Sequence, residues 1–147
     1  MGYFSSLEAS ASALTAQRLW MDTISQNIAN ASTTRTDKGT PYRRRLVVFE
    51  EKTPDVPFSE YLSRSSRERF IGSGVRVAKI VEDSSPLKRV YDPGNPEADG
   101  EGYVNMPNVD IITEMVNMIS ATRAYEANIT SINTTKSMAL KALEIGK

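Results

Sequence analysis

Residues 108–147 place the strongest constraint on the fold of this chain. From Ile111 to Leu143, apolar or small side chains predominate at alternating steps of four and three residues. This heptad spacing is typical of a helix that packs along one seam against other helices, and Asn108 or Asp110 can cap its first turn. About 36 residues at roughly 1.5 Å each give a helix of roughly 54 Å, well beyond the roughly 30 Å of a small domain. We therefore expect other chains to cover part of it.

A second heptad-spaced segment lies at the N-terminus. Residues 3–28 repeat the alternation of four and three steps. The face away from this seam carries Ser, Ala and Thr, where a solvated helix would more often carry Glu and Lys. Small uncharged surfaces suit close packing on several sides. The polar run at residues 27–34 competes with helical hydrogen bonds, so we predict that the helix stops there.

The two seams can be buried in two ways. They can fold back on each other within one chain, or they can pack against helices of other chains. The sequence leaves both open, because one partner helix buries only one side. The predicted assembly interface comprises Leu7, Leu14, Met21, Asn27, Ile28, Asn30, Ile111, Met115, Met118, Tyr125, Ile129, Ile132 and Leu143.

The segment between the two helices is rich in turns and strands. All seven prolines lie in it. Residues 42–50 are rich in β-branched and aromatic residues, and residues 75–82 alternate apolar and charged side chains, so both are predicted strands. We expect residues 87–91 to pair with the second strand across a tight turn, and residues 92–102 to form a long turn. Residues 62–70 are interpreted as a loop or a short helical piece.

These elements predict an α+β fold. Two long terminal helices with coiled-coil-like pairing flank a small antiparallel β module. The corresponding division is an N-terminal helix over residues 1–31, a β-rich and turn-rich middle over residues 32–107, and a C-terminal helix over residues 108–147.

Composition excludes several kinds of functional site. The chain has no Cys and no His, which removes disulfides, thiolate or imidazole metal sites and Ser/His/Asp triads. No pair of carboxylates stands in an apolar context that would separate their pKa values for acid and base roles. We therefore expect no catalytic residue, metal site, cofactor or small-molecule substrate.

Two local motifs have simpler interpretations than the ligands they suggest. The run of arginines at residues 43–45 has no aromatic stacking platform, and the net charge is zero, so we interpret it as solvated or interface charge and expect no nucleic-acid partner. Asn95, Glu97 and Asp99 match early positions of a calcium-binding loop. Met106, however, stands where that loop requires Glu, so we interpret the stretch as a turn.

Several motifs resemble those of a known family. The sequences NIANASTT at residues 27–34 and PYRR at residues 41–44 resemble the N-terminal signature of bacterial flagellar axial proteins, the rod and hook group. The sequences VYDPGNPEAD at residues 90–99 and PNVDIITEMVNMISA at residues 107–121 are more specific. They resemble the proximal rod members of that group.

This resemblance implies a noncatalytic structural subunit of the flagellar basal-body rod. Such subunits polymerise through their terminal helices, which are commonly disordered in the free protein, and transmit torque as a drive shaft. The implied partners are copies of the chain, other flagellar rod proteins, the flagellar export apparatus and the membrane ring. The implied location is the periplasmic side of the basal body, reached without a cleaved signal peptide. Another rod or hook subunit and a helical adaptor protein remain as alternatives.

Overall fold

The computed structural model describes residues 3–52 and 74–145. Two long helices flank a set of short strands, so the predicted α+β fold is confirmed. The loop or short helix predicted at residues 62–70 lies outside the described residues, and the division at residues 31 and 107 stays a prediction. In chain order the elements are α1 (Tyr3–Ala29), β1 (Arg45–Glu51), β2 (Val75–Glu82), β3 (Lys88–Tyr91), β4 (Tyr103–Met106) and α2 (Ile111–Ile145).

Helix α1 ends within the polar run that predicted its end. The amide N–H of Asn30 donates to the carbonyl of Gln26 at 3.1 Å, and the Asn30 side-chain amide donates to the same carbonyl at 2.9 Å. The Asn30 Oδ1 atom accepts a hydrogen bond from the Thr33 hydroxyl at 3.2 Å. These hydrogen bonds give partners to backbone and side-chain groups at the end of the helix, where helical hydrogen bonds are no longer available.

Helix α2 is capped by Asp110, one of the two predicted candidates. The carbonyl of Asp110 accepts from the N–H of Glu114 at 2.9 Å, and its Oδ2 atom accepts from both the N–H and the hydroxyl of Thr113. The hydrogen bond from the Thr113 hydroxyl is the main reason that the pKa of Asp110 lies below its ordinary value. The cap therefore favours the ionised carboxylate at the positive end of the helix dipole.

The strands form two separate two-stranded sheets, β1 with β2 and β3 with β4. At one end of the first sheet the N–H of Lys52 donates to the carbonyl of Gly74, and at the other end the N–H of Asp83 donates to the carbonyl of Arg44. Because residue numbers rise on one strand as they fall on the other, the two strands are antiparallel.

The second sheet corrects one prediction. Strand β3 pairs with β4 in antiparallel register, with Lys88 opposite Met106 and Tyr91 opposite Tyr103. The expectation that residues 87–91 pair with β2 is wrong. The carbonyls of Asp83 and Ser85 in the turn after β2 accept hydrogen bonds from side chains. Strand β3 pairs instead with β4, across the long turn at residues 92–102.

The long turn between β3 and β4 is organised by one carboxylate. The Oδ1 atom of Asp99 accepts from the N–H groups of Glu101 and Tyr103 at 3.0 and 2.9 Å, and its Oδ2 atom accepts from Arg89 at 3.1 Å. The backbone hydrogen bond from Tyr103 is the main reason that the pKa of Asp99 lies below its ordinary value. Gly102 closes the turn with a φ of 82°, which favours glycine.

The chain divides into two compact units. The first comprises Met1–Leu19, Phe49–Ala78 and Thr122–Lys147, and the second comprises Trp20–Val48 and Lys79–Ala121. In the first unit Ala16 is buried, and the Ser12 hydroxyl accepts from the N–H of Val75 at 3.1 Å. Most of the described core lies in the second unit, whose buried apolar side chains are Ile24, Tyr42, Val104, Val109 and Ala121.

Candidate assembly interface

The predicted seam of α1 is only partly covered within the chain. Leu7, Leu14, Met21 and Ile28 are all half-buried. The most buried positions on this helix are instead small or polar, apart from one isoleucine. They are Ala16, Thr23, Ile24 and Asn27. Ala16 and Thr23 were not predicted as buried positions from the sequence, although their spacing of seven residues, and of four more to the predicted Asn27, places all three on one helix face.

The predicted seam of α2 divides into half-buried and exposed members. Met118, Tyr125 and Ile132 are half-buried. Four others are exposed, up to 72% for Leu143. The exposed members are Ile111, Met115, Ile129 and Leu143. Glu114 and Ala121, which are seven residues apart, are the buried positions on the described part of this helix. The seam therefore does not coincide with the face that the chain covers for itself.

A further exposed surface on α2 was missed from the sequence. Ile112 is 74% exposed, and Met115, Val116 and Ile119 are each more than half exposed. These four residues, named here the apolar stripe, follow helical spacing along the start of α2 and all lie in the second unit. The helical spacing of Ile112, Val116 and Ile119 could have indicated this surface from the sequence. These residues lie next to the predicted seam that begins at Ile111, and only the seam was predicted. Contiguous apolar exposure is a general feature of protein interaction surfaces.

A buried ion pair lies behind this surface. The side chain of Glu114 is 1% exposed, and its Oε1 atom accepts from the Nη2 and Nε atoms of Arg44 at 2.6 and 2.8 Å. Its Oε2 atom accepts from the side-chain amide of Asn27 at 2.9 Å. Both carboxylate oxygens are therefore occupied by donors from other parts of the chain, which offsets the cost of burying the charge.

Asn27 uses the whole hydrogen-bonding capacity of its side chain. Its Nδ2 atom donates to the carbonyl of Arg45 and to Glu114, both at 2.9 Å. Its Oδ1 atom accepts from the hydroxyl of Tyr42 and from the N–H of Arg45, again both at 2.9 Å. Two donors and two acceptor sites are all that an asparagine side chain offers. Asn27 was predicted as an interface residue; the structure places it inside the second unit, and its contact with other chains stays a prediction.

Asn108 connects this ion pair to the turn after β2. Its Oδ1 atom accepts from the N–H of Arg44 at 2.8 Å, and its side-chain amide donates to the hydroxyl of Ser85 at 2.8 Å. The pKa of Asp83 in the same turn is held below its ordinary value, chiefly by a hydrogen bond from the N–H of Ser85. Asn27, Tyr42, Arg44, Asn108 and Glu114 are named here the polar cluster.

Burial also affects the tyrosine of the polar cluster. The pKa of Tyr42 is raised, chiefly because burial disfavours the phenolate, and the nearby carboxylate of Glu114 adds to the effect while Arg45 opposes it. The guanidinium of Arg45 lies 5.8 Å from the centre of the Tyr42 ring. Tyr42 is therefore a neutral hydrogen-bond donor at physiological pH.

The three adjacent arginines at residues 43–45 differ in their exposure and in their contacts. Arg45 is exposed, whereas the side chain of Arg44 is 23% exposed and engages Glu114. The interpretation of the run as solvated or interface charge is therefore wrong for Arg44. Alternate strand residues point to opposite faces, which is why adjacent arginines have different surroundings.

Neither described helix has the length and apolar character that a membrane span requires. Within residues 3–52 and 74–145, no group of three or more acidic side chains is placed to hold a metal ion.

Two segments of the chain match known protein families. Residues 7–35 match the family described as flagella basal body rod protein, and residues 101–145 match the family described as flagellar basal body rod FlgEFG protein C-terminal. The first match includes Asn27, and the second includes Asn108 and Glu114.

Full-length relatives make the assignment more specific. The chain is 51% identical to the flagellar basal-body rod protein FlgC of Bacillus subtilis (strain 168), with 100% of both chains aligned. It is 51% identical to the FlgC protein of Borreliella burgdorferi, over 99% of this chain and 98% of the relative. It is 41% identical to that of Escherichia coli O6:H1, with 100% of both chains aligned. The resemblance inferred from the sequence motifs is thus confirmed, and the chain belongs to the FlgC family of flagellar basal-body rod proteins.

Proposed function

We propose that this rod protein polymerises through its two terminal helices to form the proximal part of the flagellar drive shaft. The observation that carries the proposal is the apolar surface that α2 leaves uncovered. It includes the apolar stripe near the start of the helix and Met138, Leu140 and Leu143 near its end, all more than half exposed. Such surface is unfavourable in water and favours burial against neighbouring chains.

The size of the apolar stripe indicates how much of the helix must take part. Burying a large apolar side chain is worth about 1.5–3 kcal/mol, so covering the exposed halves of four such residues is worth about 3–6 kcal/mol. Association costs about 4–15 kcal/mol in lost freedom of motion and ordering. The stripe alone is therefore insufficient, and the exposed residues at the far end of α2 and the seam of α1 must contribute.

Different surfaces on one chain also suit an extended assembly. Contacts between unlike patches that do not close on themselves generate helical polymers. The exposed seam residues of α2 and the half-buried seam of α1 supply two such unlike patches. Close packing of many helices would then transmit torque along the rod.

The proposed setting follows from the family. Partners would be copies of the chain and other flagellar rod proteins, with the membrane ring at one end of the rod. The chain would reach the periplasmic side of the basal body through the flagellar export apparatus, without a cleaved signal peptide. A noncatalytic role is supported by the relatives, which are named as flagellar basal-body rod proteins.

The seam is tested by Ile129→Asp. Ile129 is exposed, so the charge should leave the β strands intact and block rod assembly, because a carboxylate would be buried among apolar neighbours. The matched control is Asn133→Asp, which adds the same charge at an exposed polar position of the same helix. Motility and the presence of rods are scored in cells whose own family member has been deleted. Normal motility of the Ile129→Asp strain would contradict the proposal.

Solution measurements separate a polymerising subunit from a helical adaptor. A rod subunit gives monomers or polymers on size analysis, whereas an adaptor gives a discrete complex of fixed size with one partner. Circular dichroism of the purified chain at low concentration tests whether its helices fold on assembly. We expect low helicity that rises with association; full helicity without association at any concentration would contradict coupled folding.

A further inference from the structure

The polar cluster brings together three parts of the chain that are far apart in sequence. Asn27 is near the end of α1, Arg44 immediately precedes β1, and Glu114 lies in the first turns of α2. Asn27 and Glu114 are separated by 87 positions, and Arg44 and Glu114 by 70. All three lie in the second unit. The hydrogen bonds among them therefore require that the end of α1 and the start of α2 are both folded.

Each member of the cluster needs the others in place. If the start of α2 moves away, the side-chain amide of Asn27 and the Nε atom of Arg44 lose their carboxylate acceptor. If the end of α1 unwinds, the Oε2 atom of Glu114 loses its donor while the carboxylate remains in a buried position. A buried polar group without a partner is strongly unfavourable, so opening either helix end alone is penalised.

We propose that the polar cluster couples the two helices, so that the end of α1 and the start of α2 fold and unfold as one unit. Asn27 is the central residue, because all four of its side-chain hydrogen bonds are made and they reach both Arg45 at the start of β1 and Glu114 on α2. The coupling is a property of the chain itself. Its failure would leave the proposed rod function untouched.

Tyr42→Phe is the most specific test. The hydroxyl of Tyr42 donates to Asn27, on α1, at 2.9 Å. Among the described contacts this hydroxyl makes no hydrogen bond to α2, so its removal should reach the α2 hydrogen bonds through Asn27. Coupling predicts that amide hydrogen exchange at residues 111–121 becomes about fivefold faster, the effect expected of one lost hydrogen bond. Faster exchange at residues 20–29 with unchanged exchange at residues 111–121 would overturn the proposal.

A matched pair of asparagine variants gives a larger effect. Asn27→Ala should speed exchange at both residues 20–29 and residues 111–121. Asn30→Ala should act at the end of α1 alone, because the Asn30 side chain bonds only locally, to Gln26 and Thr33, among the described contacts. Equal effects of the two variants on residues 111–121 would overturn the proposal. If Asn27→Ala unfolds the whole chain, seen as lost protection in β3 and β4, the Tyr42→Phe result decides.

The coupling must also act in the reverse direction. Glu114→Gln should speed exchange at residues 20–29, because the free energy that couples two sites is the same from either side. An effect confined to residues 111–121 would contradict coupling. Hydrogen exchange of the full-length unsubstituted chain is first measured by mass spectrometry in the free and in the assembled state. The variants are then compared in whichever state protects the amides of residues 111–121. Unprotected residues 111–121 in both states of the unsubstituted chain would also overturn the proposal.

Discussion

Ile112→Ala tests whether the apolar stripe is buried when the protein assembles. Ile112 is 74% exposed, the largest exposure in the stripe. Complete burial of an isoleucine side chain is worth about 1.5–3 kcal/mol, so covering the exposed three quarters is worth about 1–2 kcal/mol. Truncation to alanine removes most of that gain. Since about 1.4 kcal/mol is a tenfold change in an equilibrium constant, the critical concentration for polymerisation should rise about 5- to 30-fold.

The assay is sedimentation of polymer over a range of protein concentrations, with other rod proteins present where they are needed to start growth. Asn133→Ala is the control, because Asn133 is an exposed polar residue on the same helix and its truncation should leave the critical concentration unchanged. Far-UV circular dichroism checks that both variants keep the helicity of the unsubstituted chain. A critical concentration for Ile112→Ala equal to that of the control would refute burial of the stripe.

Three further predictions concern the second unit and the sheets. Gly102→Ala should cost about 1–3 kcal/mol of stability, because φ is 82° and the new Cβ would lie 2.9 Å from a tyrosine ring carbon; Gly100→Ala, with open space around it, should be near neutral in the same thermal melts. Arg44→Met should cost about 3–5 kcal/mol in urea unfolding by leaving a buried carboxylate without its cation, whereas Arg76→Met, which breaks an exposed pair, should cost under about 1 kcal/mol. The lowered pKa of Asp99 predicts a contribution that is complete above the ordinary pKa of aspartate and is lost as pH falls through the lower folded value; thermal melts of Asp99→Asn should lack this acid-side loss.

The long elements could be predicted from the sequence because their signals are local. Heptad spacing indicated both helices, Asp110 was one of two named caps, and alternation over residues 75–82 indicated β2. The partner of β3 could not be found in the same way. Adjacent strands usually pair, whereas Lys88–Tyr91 pairs across an eleven-residue turn with a four-residue strand that shows little alternation.

The polar cluster could not be predicted, since nothing local identifies it. In the sequence, Glu114 is an ordinary acidic residue in the first turn of a helix, and Arg44 is one of three adjacent arginines. Their burial depends on contacts that span 70 positions. One signal was available: Glu114 precedes the buried Ala121 by one heptad, which places the two on the same helix face. Without the position of Arg44, that spacing does not distinguish a buried carboxylate from a solvated one.

The apolar stripe has a consequence for how the protein is handled and delivered. None of its four residues is charged, so repulsion from within the stripe does not keep two copies apart. Salts such as sulfate, which are excluded from protein surfaces, strengthen apolar contacts, so ammonium sulfate should promote clustering of the folded protein. A cell that makes many copies would have to cover these residues or keep the chain unfolded until it reaches the growing end of the rod.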